Sequence, residues 1–312
     1  MMNNNPLMQF ARRPELSVKL ATSPSWYPEG FINYTLNGEV EVYPMLPKDE
    51  LGLYNPDALL SGQAMIDLIK SCCPSVMDPA KLYYPDANIL LLAIKRATYG
   101  NEHKQKHKCP KCLEKIEEMK KDPKKKKELD KLIADGKIND HEEEHIFNID
   151  ELLQKVEHLN DEYKIKIDSL NYSLQPYTMK TKEHYSVLSL QRTKLLNMYS
   201  DILKDEERAV ENKDQLTSEV YQIQSKIIET NTEIYSECIK YIELPDGSIV
   251  DNKEMIKEFL LNSKSSTIDA LGKEIEKINS VGLPDKLEIE CSFCGNKQEV
   301  LFTGFNQSDF FG

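Results

Sequence analysis

The amino-acid sequence predicts an α+β fold with three features: a β-rich N-terminal region with helices, a long helical hairpin arm in the second half, and a four-cysteine site of the zinc-ribbon kind. Alternating apolar residues between positions 14 and 46 predict strands. Apolar residues spaced mostly three, four or seven apart over 216–242 predict helices. Two distant Cys-X-X-Cys pairs predict a metal site that joins the middle of the chain to its C-terminus.

The composition excludes several classes of protein. Hydrophobic residues make up 40% of the 312 residues and charged residues 29%, which is typical of a globular chain. The longest apolar run, 89–94, is far short of the roughly 20 residues that cross a bilayer. The N-terminus lacks the pattern of a signal peptide, so we expect synthesis in the cytoplasm of the producing cell. A net charge of −12 opposes a general nucleic-acid coat.

The N-terminal third is predicted to change from strands to helices. Residues 31–36 and 39–43 flank Asn37-Gly38, and this dipeptide between two alternating runs predicts a hairpin. The pattern then becomes helical after two prolines. One helix is predicted between positions 55 and 74. A second, apolar on most sides and therefore central, is predicted between positions 86 and 100.

A strongly charged stretch follows the second helix. It holds eleven Lys and four acids in 104–127, and then seven acids and two Lys in 128–145. Two helices that meet near Asp122-Pro123 would pair these opposite charges. Asp140 with Glu143 matches the capping box that begins a helix. We therefore expect a solvated helical excursion from the main fold.

The second half of the chain repeats the change from strands to helices. Asn148 with Glu151 predicts the start of a helix, and residues 163–178 alternate as strands do. Residues 181–241 are predicted to form two antiparallel helices, because the charged stretch 204–214 between them carries no apolar seam. A tight turn, further helices and a final hairpin around the second cysteine pair complete the chain.

These elements group into three predicted units. The α+β body comprises 1–112, 146–180 and 281–312, and it holds the metal site. Residues 113–145 form a charged helical insertion, and 181–280 form a helical arm. Both halves of the chain run from strands through helices to a Cys-X-X-Cys pair, an order that either an ancient duplication or chance would produce.

Four cysteines are the candidate zinc ligands: Cys109, Cys112, Cys291 and Cys294. Two Cys-X-X-Cys turns would hold four thiolates at about 2.3 Å from one ion, and this closed tetrahedron is structural because no position stays open. The alternative is two unrelated pairs, one of them redox-active, and His103 and His107 are alternative ligands. Cys72, Cys73 and Cys238 lie on predicted helix faces and are interpreted as buried apolar residues.

The motifs that would indicate an enzyme are incomplete. A metalloenzyme using His141, Glu142 and His145 is an alternative, because 141–145 matches H-E-x-x-H. The acidic character of this stretch is explained by helix capping and the helix dipole. Residues 135–142 resemble half of a calcium loop whose first ligands are missing. Phosphate-loop and nucleophile-elbow motifs do not occur, so we predict no enzymatic activity and no small-molecule substrate.

The C-terminal segment is rich in phenylalanine. Phe305, Phe310 and Phe311 are candidate partner-binding residues, because aromatic anchors dominate many protein interfaces. Packing beneath the final hairpin would explain the same residues. The sequence leaves both interpretations open.

Six stretches resemble one family: Asp57–Pro74, Asp86–Glu102, Cys109–Cys112, Phe147–Glu151, Cys291–Gly295 and Phe310–Gly312. Together they resemble the baseplate hub and hub-assembly proteins of T-even-like contractile-tailed bacteriophages. The densest part of the resemblance is 57–112. In that family the first cysteine pair is expected to run almost directly into the counterpart of Phe147, so 113–145 is interpreted as an insertion of this chain.

The resemblance implies a non-enzymatic role in the baseplate of a phage tail. The expected location is the baseplate of the virion, after synthesis in the host cytoplasm, and the expected partners are other baseplate and tail proteins. A transient hub-assembly chaperone that leaves before the virion is complete is the close alternative. A zinc-ribbon nucleic-acid binder that uses the basic run Lys104–Lys111 is a further alternative, which the overall acidity opposes.

Overall fold

The computed structural model describes residues 11–55, 58, 62–121, 129, 131–133, 142–182, 184–185, 193–194, 197, 200 and 213–302. Helices and small antiparallel sheets are mixed along the chain, so the α+β prediction is confirmed. The strands are β1 (Leu16–Val18), β2 (Val40–Val42), β3 (Glu102–His107), β4 (Glu143–Asn148), β5 (Tyr163–Ile167), β6 (Leu170–Leu174), β7 (Ile239–Glu243), β8 (Ile249–Val250), β9 (Lys286–Glu290) and β10 (Lys297–Leu301). The helices are α1 (Pro47–Leu53), α2 (Gln63–Cys72), α3 (Tyr84–Tyr99), α4 (Pro110–Lys120), α5 (Ile149–Gln154), α6 (Lys213–Cys238), α7 (Lys253–Leu261) and α8 (Ser265–Asn279).

Helix α3 lies at the centre of the main core. Proline in its first turn suits a helix start, because proline has no N–H to leave unpaired there. Gly100 ends the helix at φ +92°, a backbone angle that glycine adopts without a Cβ clash. Nearly every apolar side chain of α3 is buried, so the helix is covered on most sides as the sequence predicts. Helices α2 and α5 and strands β1 and β2 pack against it.

The strand pairing near the N-terminus differs from the predicted hairpin. Residues 31–36 form no strand, and β2 pairs instead with β1, with Val40 opposite Val18. The turn at Asn37-Gly38 does form, with Thr35 N–H donating to Glu39 O at 2.9 Å and Gly38 at φ +73°. Val40 and Val42 are fully buried, and β1 rather than 31–36 supplies the apolar partner that this burial requires.

Helix prediction in the same region is partly correct. Helix α2 ends at Cys72, shortly before Pro74, as expected from a residue that cannot continue a helix. It begins at Gln63, after Gly62 at φ +71°, and residues 56–57 and 59–61 lie outside the described part of the chain. The short helix α1 was not predicted, although Pro47 at its start and Asp49 at its third position are ordinary start signals.

A four-stranded antiparallel sheet in the order β5-β6-β7-β8 lies in the second half of the chain. Strands β5 and β6 confirm the prediction for 163–178. The helix predicted to run to about Tyr241 ends three residues earlier, because α6 stops at Cys238 and the chain continues directly as β7. Ile239 and Ile242 are buried and pair with β6, and this tertiary pairing outweighs the helical spacing.

The predicted helix start at Asp140 and Glu143 is also wrong. Glu143 begins β4, which pairs antiparallel with β3 along all six residues. Alternate side chains of β3 are buried, with His103 and Gln105 on the inner face, so this polar strand is a structural part of the body. The predicted cap of the next helix is confirmed, since Asn148 Oδ1 accepts the Glu151 N–H at 3.0 Å.

A small apolar cluster joins α3 to the β3–β4 and β9–β10 hairpins. Its buried members are Leu92, Ile149 and Leu152, with Leu287 and Phe302 packed against them. The two hairpins therefore lie on the same side of α3, which places the two cysteine pairs within reach of each other. None of the helices in the described ranges is both long enough and apolar enough to span a membrane.

Candidate metal centre

The first cysteine pair lies where β3 turns into helix α4. Cys109 precedes the first residue of the helix and Pro110 occupies its first turn, so the helix begins between the two cysteines. Leu113 N–H donates to Cys109 O at 3.0 Å and closes the first helical turn. Both Cys109 and Cys112 are buried. This local structure directs both sulfur atoms to the same side of α4.

The second cysteine pair forms the turn of the β9–β10 hairpin. Cys291 N–H donates to Asn296 O at 3.0 Å, and Gly295 N–H donates to Cys291 O at 2.9 Å. Gly295 has φ +65°, so the glycine that follows the pair in sequence is required by the turn. Cys291 is buried and Cys294 is exposed.

The structure brings the two pairs together although Cys112 and Cys291 are 179 positions apart. The four sulfur atoms all lie within 4.8 Å of one another. Cys109 Sγ is 3.6 Å from Cys294 Sγ, and Cys112 Sγ is 3.9 Å from Cys291 Sγ. A tetrahedral zinc ion with sulfur ligands at about 2.3 Å places its ligands about 3.8 Å apart. The geometry therefore fits one tetrahedral ion, and the alternative of two unrelated cysteine pairs does not fit.

The surroundings affect the acidity of the two cysteines in the hairpin turn. Burial raises the pKa of Cys291, although backbone N–H groups of Cys294 and Phe293 oppose the rise. Burial also acts to raise the pKa of Cys294. Hydrogen bonds from the Asn296 backbone N–H and neighbouring thiols lower the pKa by more, so it lies below that of an ordinary thiol. Backbone N–H donors directed at sulfur favour the thiolate form, which is the form that binds a metal.

An apolar shell covers the cysteines from the side of α4. Ile116 and Met119 follow Cys112 by four and seven positions, so all three lie on one face of the helix and are buried. Leu129 is buried in the same cluster. The charged stretch was expected to be solvated throughout, but this inner face packs on the metal centre. The helical spacing of Ile116 and Met119 from Cys112 could have predicted this apolar face. The many charged residues of the stretch favoured a solvated helix instead.

Polar side chains of the β3–β4 hairpin contact the β9–β10 hairpin. Both carboxylate oxygens of Glu143 accept the Ser292 N–H, at 3.1 and 3.3 Å. Burial raises the pKa of Glu143, but hydrogen bonds from Ser292 and the nearby His145 lower it by more, so the net shift is downward. Gln105 Nε2 donates to Leu301 O at 2.9 Å. None of these residues was singled out as a site residue by sequence reasoning.

The alternative ligands do not join the cysteine cluster. His103 is fully buried, and its Nδ1 lies 3.1 Å from Lys95 Nζ inside the body. Burial and then the charge of Lys95 lower the pKa of His103 to about 4. The His107 ring faces His145 at 6.1 Å. Among the described residues, the four cysteines are the one group of metal-binding side chains whose ligand atoms converge.

The H-E-x-x-H interpretation loses its structural basis in the described residues. His145 lies in strand β4, where neighbouring side chains alternate between the two faces. Glu142 and His145 are three positions apart, so a strand directs them to opposite sides, whereas the zinc-protease motif needs a helix. His141 lies outside the described residues, as do Phe305, Phe310 and Phe311.

The remaining three cysteines are buried thiols in the main hydrophobic core. Cys72, Cys73 and Cys238 are at most 1% exposed, as predicted for small apolar residues. Burial raises the pKa of Cys72 to about 11 and raises the pKa of Cys73 and Cys238 further. They remain protonated at neutral pH and are unsuited to binding a metal.

Comparison with known proteins identifies the family. No curated protein and no solved structure gave a significant match. The family model described as T4 bacteriophage base plate protein matches residues 32–312, which includes the core helix α3 and both cysteine pairs. Because this match covers most of the chain, the protein belongs to the T4 bacteriophage base plate protein family.

Proposed function

We propose that this chain is a non-enzymatic structural protein of a contractile phage tail, built into the hub region of the baseplate. The family match over residues 32–312 is the observation that carries this proposal. Its partners are then other baseplate and tail proteins, and its final location is the virion after synthesis in the host cytoplasm. The close alternative is an assembly chaperone that acts on the hub and is absent from the finished particle.

The form of the cysteine site supports a structural rather than a catalytic role. Four sulfur ligands fill a tetrahedral site and leave no position at which a substrate or an activated water could bind. Three of the four cysteines are buried, beneath the apolar side chains of Ile116 and Met119. A site of this kind holds distant segments together.

Mass spectrometry of purified virions separates a baseplate component from a chaperone. A component is expected in every particle at a constant ratio to known tail proteins, and it should stay with tails through density-gradient purification. Absence from virions, together with presence in infected-cell extracts, would contradict the structural assignment and favour the chaperone. A phage that carries a stop codon early in this gene serves as the control for specificity of detection.

The ion in this proposal is zinc, held by Cys109, Cys112, Cys291 and Cys294. Thiolate sulfur is a preferred ligand of zinc, and the sulfur separations suit its bond lengths. Zinc bound here would supply the positive charge that keeps four thiolates together. The cysteines themselves would supply the link between the two hairpins.

The zinc content of the purified protein tests this assignment. We expect about one equivalent in the wild type and its loss in both Cys109→Ser and Cys291→Ser, because a tetrahedral site with a missing ligand binds far more weakly. Cys238→Ala is the matched control, since Cys238 is equally buried but lies outside the cluster. Zinc that persists in Cys109→Ser, or a wild type without zinc, contradicts the shared site.

The phenylalanines of the C-terminal segment are proposed as anchors for a neighbouring baseplate subunit. Aromatic side chains often dominate the binding energy of an interface. A triple variant with Ala at Phe305, Phe310 and Phe311 should then fold normally, keep its zinc and fail to incorporate into tails. A loss of thermal stability in that variant would favour packing of these residues against the protein itself.

A further inference from the structure

Glu143 links the two hairpins at the turn that carries Cys291 and Cys294. It is the first residue of β4 and lies opposite His107 of β3. Its carboxylate reaches across 149 positions of sequence to accept the Ser292 N–H with both oxygens, at 3.1 and 3.3 Å. The Glu143 side chain is 17% exposed and Ser292 is exposed, so this contact lies at the surface beside the cysteine cluster.

The other backbone N–H groups of this turn already have acceptors, and the Ser292 N–H is the one that Glu143 accepts. Cys291 N–H and Gly295 N–H are used by the hairpin itself. The N–H groups of Phe293 and Cys294 are directed at the Cys291 sulfur. Glu143 therefore satisfies the remaining donor between the two cysteines, and an ionised acceptor makes this bond stronger than a neutral one would.

We infer that Glu143 is a positioning residue for the metal centre, which holds the Cys291–Cys294 turn in the conformation that directs both sulfur atoms toward the ion. This inference rests on the proposed zinc site. The contact between Gln105 and the Leu301 carbonyl holds the other end of the same hairpin. Residues that orient metal ligands without binding the metal typically change its affinity by about 10–100-fold when removed.

The negative charge of Glu143 should weaken metal binding, whereas its hydrogen bond to Ser292 should strengthen it. A carboxylate beside thiolates raises the cost of ionising them, so removal of the charge alone would favour metal binding. Glutamine at position 143 removes the charge but keeps an oxygen that accepts the Ser292 N–H. Alanine removes both. A comparison of the two variants therefore separates the hydrogen bond from the charge.

The test measures zinc release from the full-length protein to a chromophoric chelator. We expect Glu143→Ala to release zinc at least about tenfold faster than the wild type, and Glu143→Gln to remain close to the wild type. Glu144→Ala is the matched control: Glu144 is the next residue of β4, is exposed, and contacts Lys104 at 3.8 Å on the opposite face. It should change the rate less than about twofold.

Amide hydrogen exchange of the segment 290–296 provides a second readout that does not depend on zinc. Faster exchange of this segment in Glu143→Ala than in Glu144→Ala is expected with and without metal. If Glu143→Ala matches Glu144→Ala in both measurements, the positioning role is wrong and the zinc site stands. If the wild type holds no zinc, the zinc assignment is wrong, and the exchange data alone decide the role of Glu143. If the alanine variant does not fold, Glu143→Thr replaces it in both measurements, because threonine suits a strand but is too short to reach the Ser292 N–H.

Discussion

Asp86 is a carboxylate enclosed completely by the main core. It accepts hydrogen bonds from Thr22 N–H at 3.0 Å, from Thr22 Oγ1 at 2.5 Å and from Tyr27 Oη at 2.6 Å. Burial raises its pKa to about 6, and these hydrogen bonds limit the rise. These hydrogen bonds tie residues 22–27 to helix α3, although burying a charge there has a desolvation cost.

The pKa of Asp86 predicts a pH dependence of stability. The folded carboxyl binds a proton near pH 6, whereas the unfolded one does so near 3.8, so the free energy of unfolding should gain about 1 kcal/mol from this group between pH 7 and pH 5. Asp86→Asn should lose this gain. Denaturant unfolding of both proteins at the two pH values measures the difference.

The pH dependence of the wild type must be compared with that of the Asp86→Asn variant, because protonation of His103 changes the free energy of unfolding in the opposite direction as the pH falls. Its pKa in the folded protein is about 4, so it stays neutral where the unfolded imidazole takes up a proton, and this destabilises the fold as the pH falls below about 6.5. The effect of His103 is common to both proteins and cancels in the difference. An equal pH response of wild type and Asp86→Asn would contradict the assignment to Asp86.

At the scale of single elements, helix α4 combines a charged outer face with an apolar inner face on the metal centre. Ile116→Ala should lower the free energy of unfolding by roughly 2–5 kcal/mol and accelerate zinc release, because it opens a cavity beside Cys112. Lys115→Ala, on the exposed face of the same turn, should change stability by less than about 0.5 kcal/mol. Urea unfolding measures both. Equal effects of the two substitutions would mean that the inner face does not pack.

Helices α6 and α8 approach closely at Gly272. A Cβ at this position would meet Tyr235 Oη at 2.6 Å, a separation that requires the ring to move. Gly272→Ala should therefore destabilise the protein by about 1 kcal/mol, since overpacking costs ~1–3 kcal/mol and the helix propensity of alanine offsets about 1 kcal/mol. Thermal unfolding of the purified variants measures the change.

Two variants make this prediction specific to the helix contact. Gly52→Ala, in helix α1, meets nothing within 4 Å and should be neutral or slightly stabilising. Tyr235→Phe removes the nearest atom, so the double variant Tyr235→Phe/Gly272→Ala should lose less stability than the two single changes add up to. Strict additivity would indicate that the two residues do not interact.

Local sequence signals identified some elements and failed for others for physical reasons. Helix α3 and the cap at Asn148 were predictable because apolar periodicity and capping act within a few residues. Strand β4 was not predictable, because its acidic first residues match a helix-capping pattern. It forms a strand because it pairs with β3, which is distant in sequence. The end of α6 was missed similarly, since Ile239 becomes a strand residue only by pairing with β6.

At the scale of the whole molecule, the convergence of the four cysteines was predictable but their environment was not. The Cys-X-X-Cys spacing and the following glycine are local features that indicate half-sites. That the half-sites meet depends on both hairpins packing near α3, through an apolar cluster that includes Leu92 and Leu287 and that no local pattern encodes. The contact of Glu143 could not be predicted for the same reason, because its partner Ser292 is distant in sequence.

Removal of the proposed zinc should lower the stability of the whole fold. We expect a strong chelator to lower the midpoint of thermal unfolding of the wild type substantially, because an ion that binds only the folded state stabilises it by mass action. Cys109→Ser should already unfold at the lower temperature and respond little to the chelator. Calorimetry with and without chelator measures both. An unchanged midpoint in the wild type would show that the hairpin contacts hold the body together without metal.

The separation of the cysteine pairs along the chain has a consequence for the timing of synthesis. Cys112 and Cys291 are 179 positions apart, so a ribosome adding about 5–20 residues per second exposes the second pair roughly 10–40 s after the first. During that interval the first pair has no partner. The site can close only after residue 294 has been synthesised, and a polypeptide that terminates before residue 291 never acquires it. The cysteine cluster thus distinguishes chains that extend past residue 294 from shorter ones.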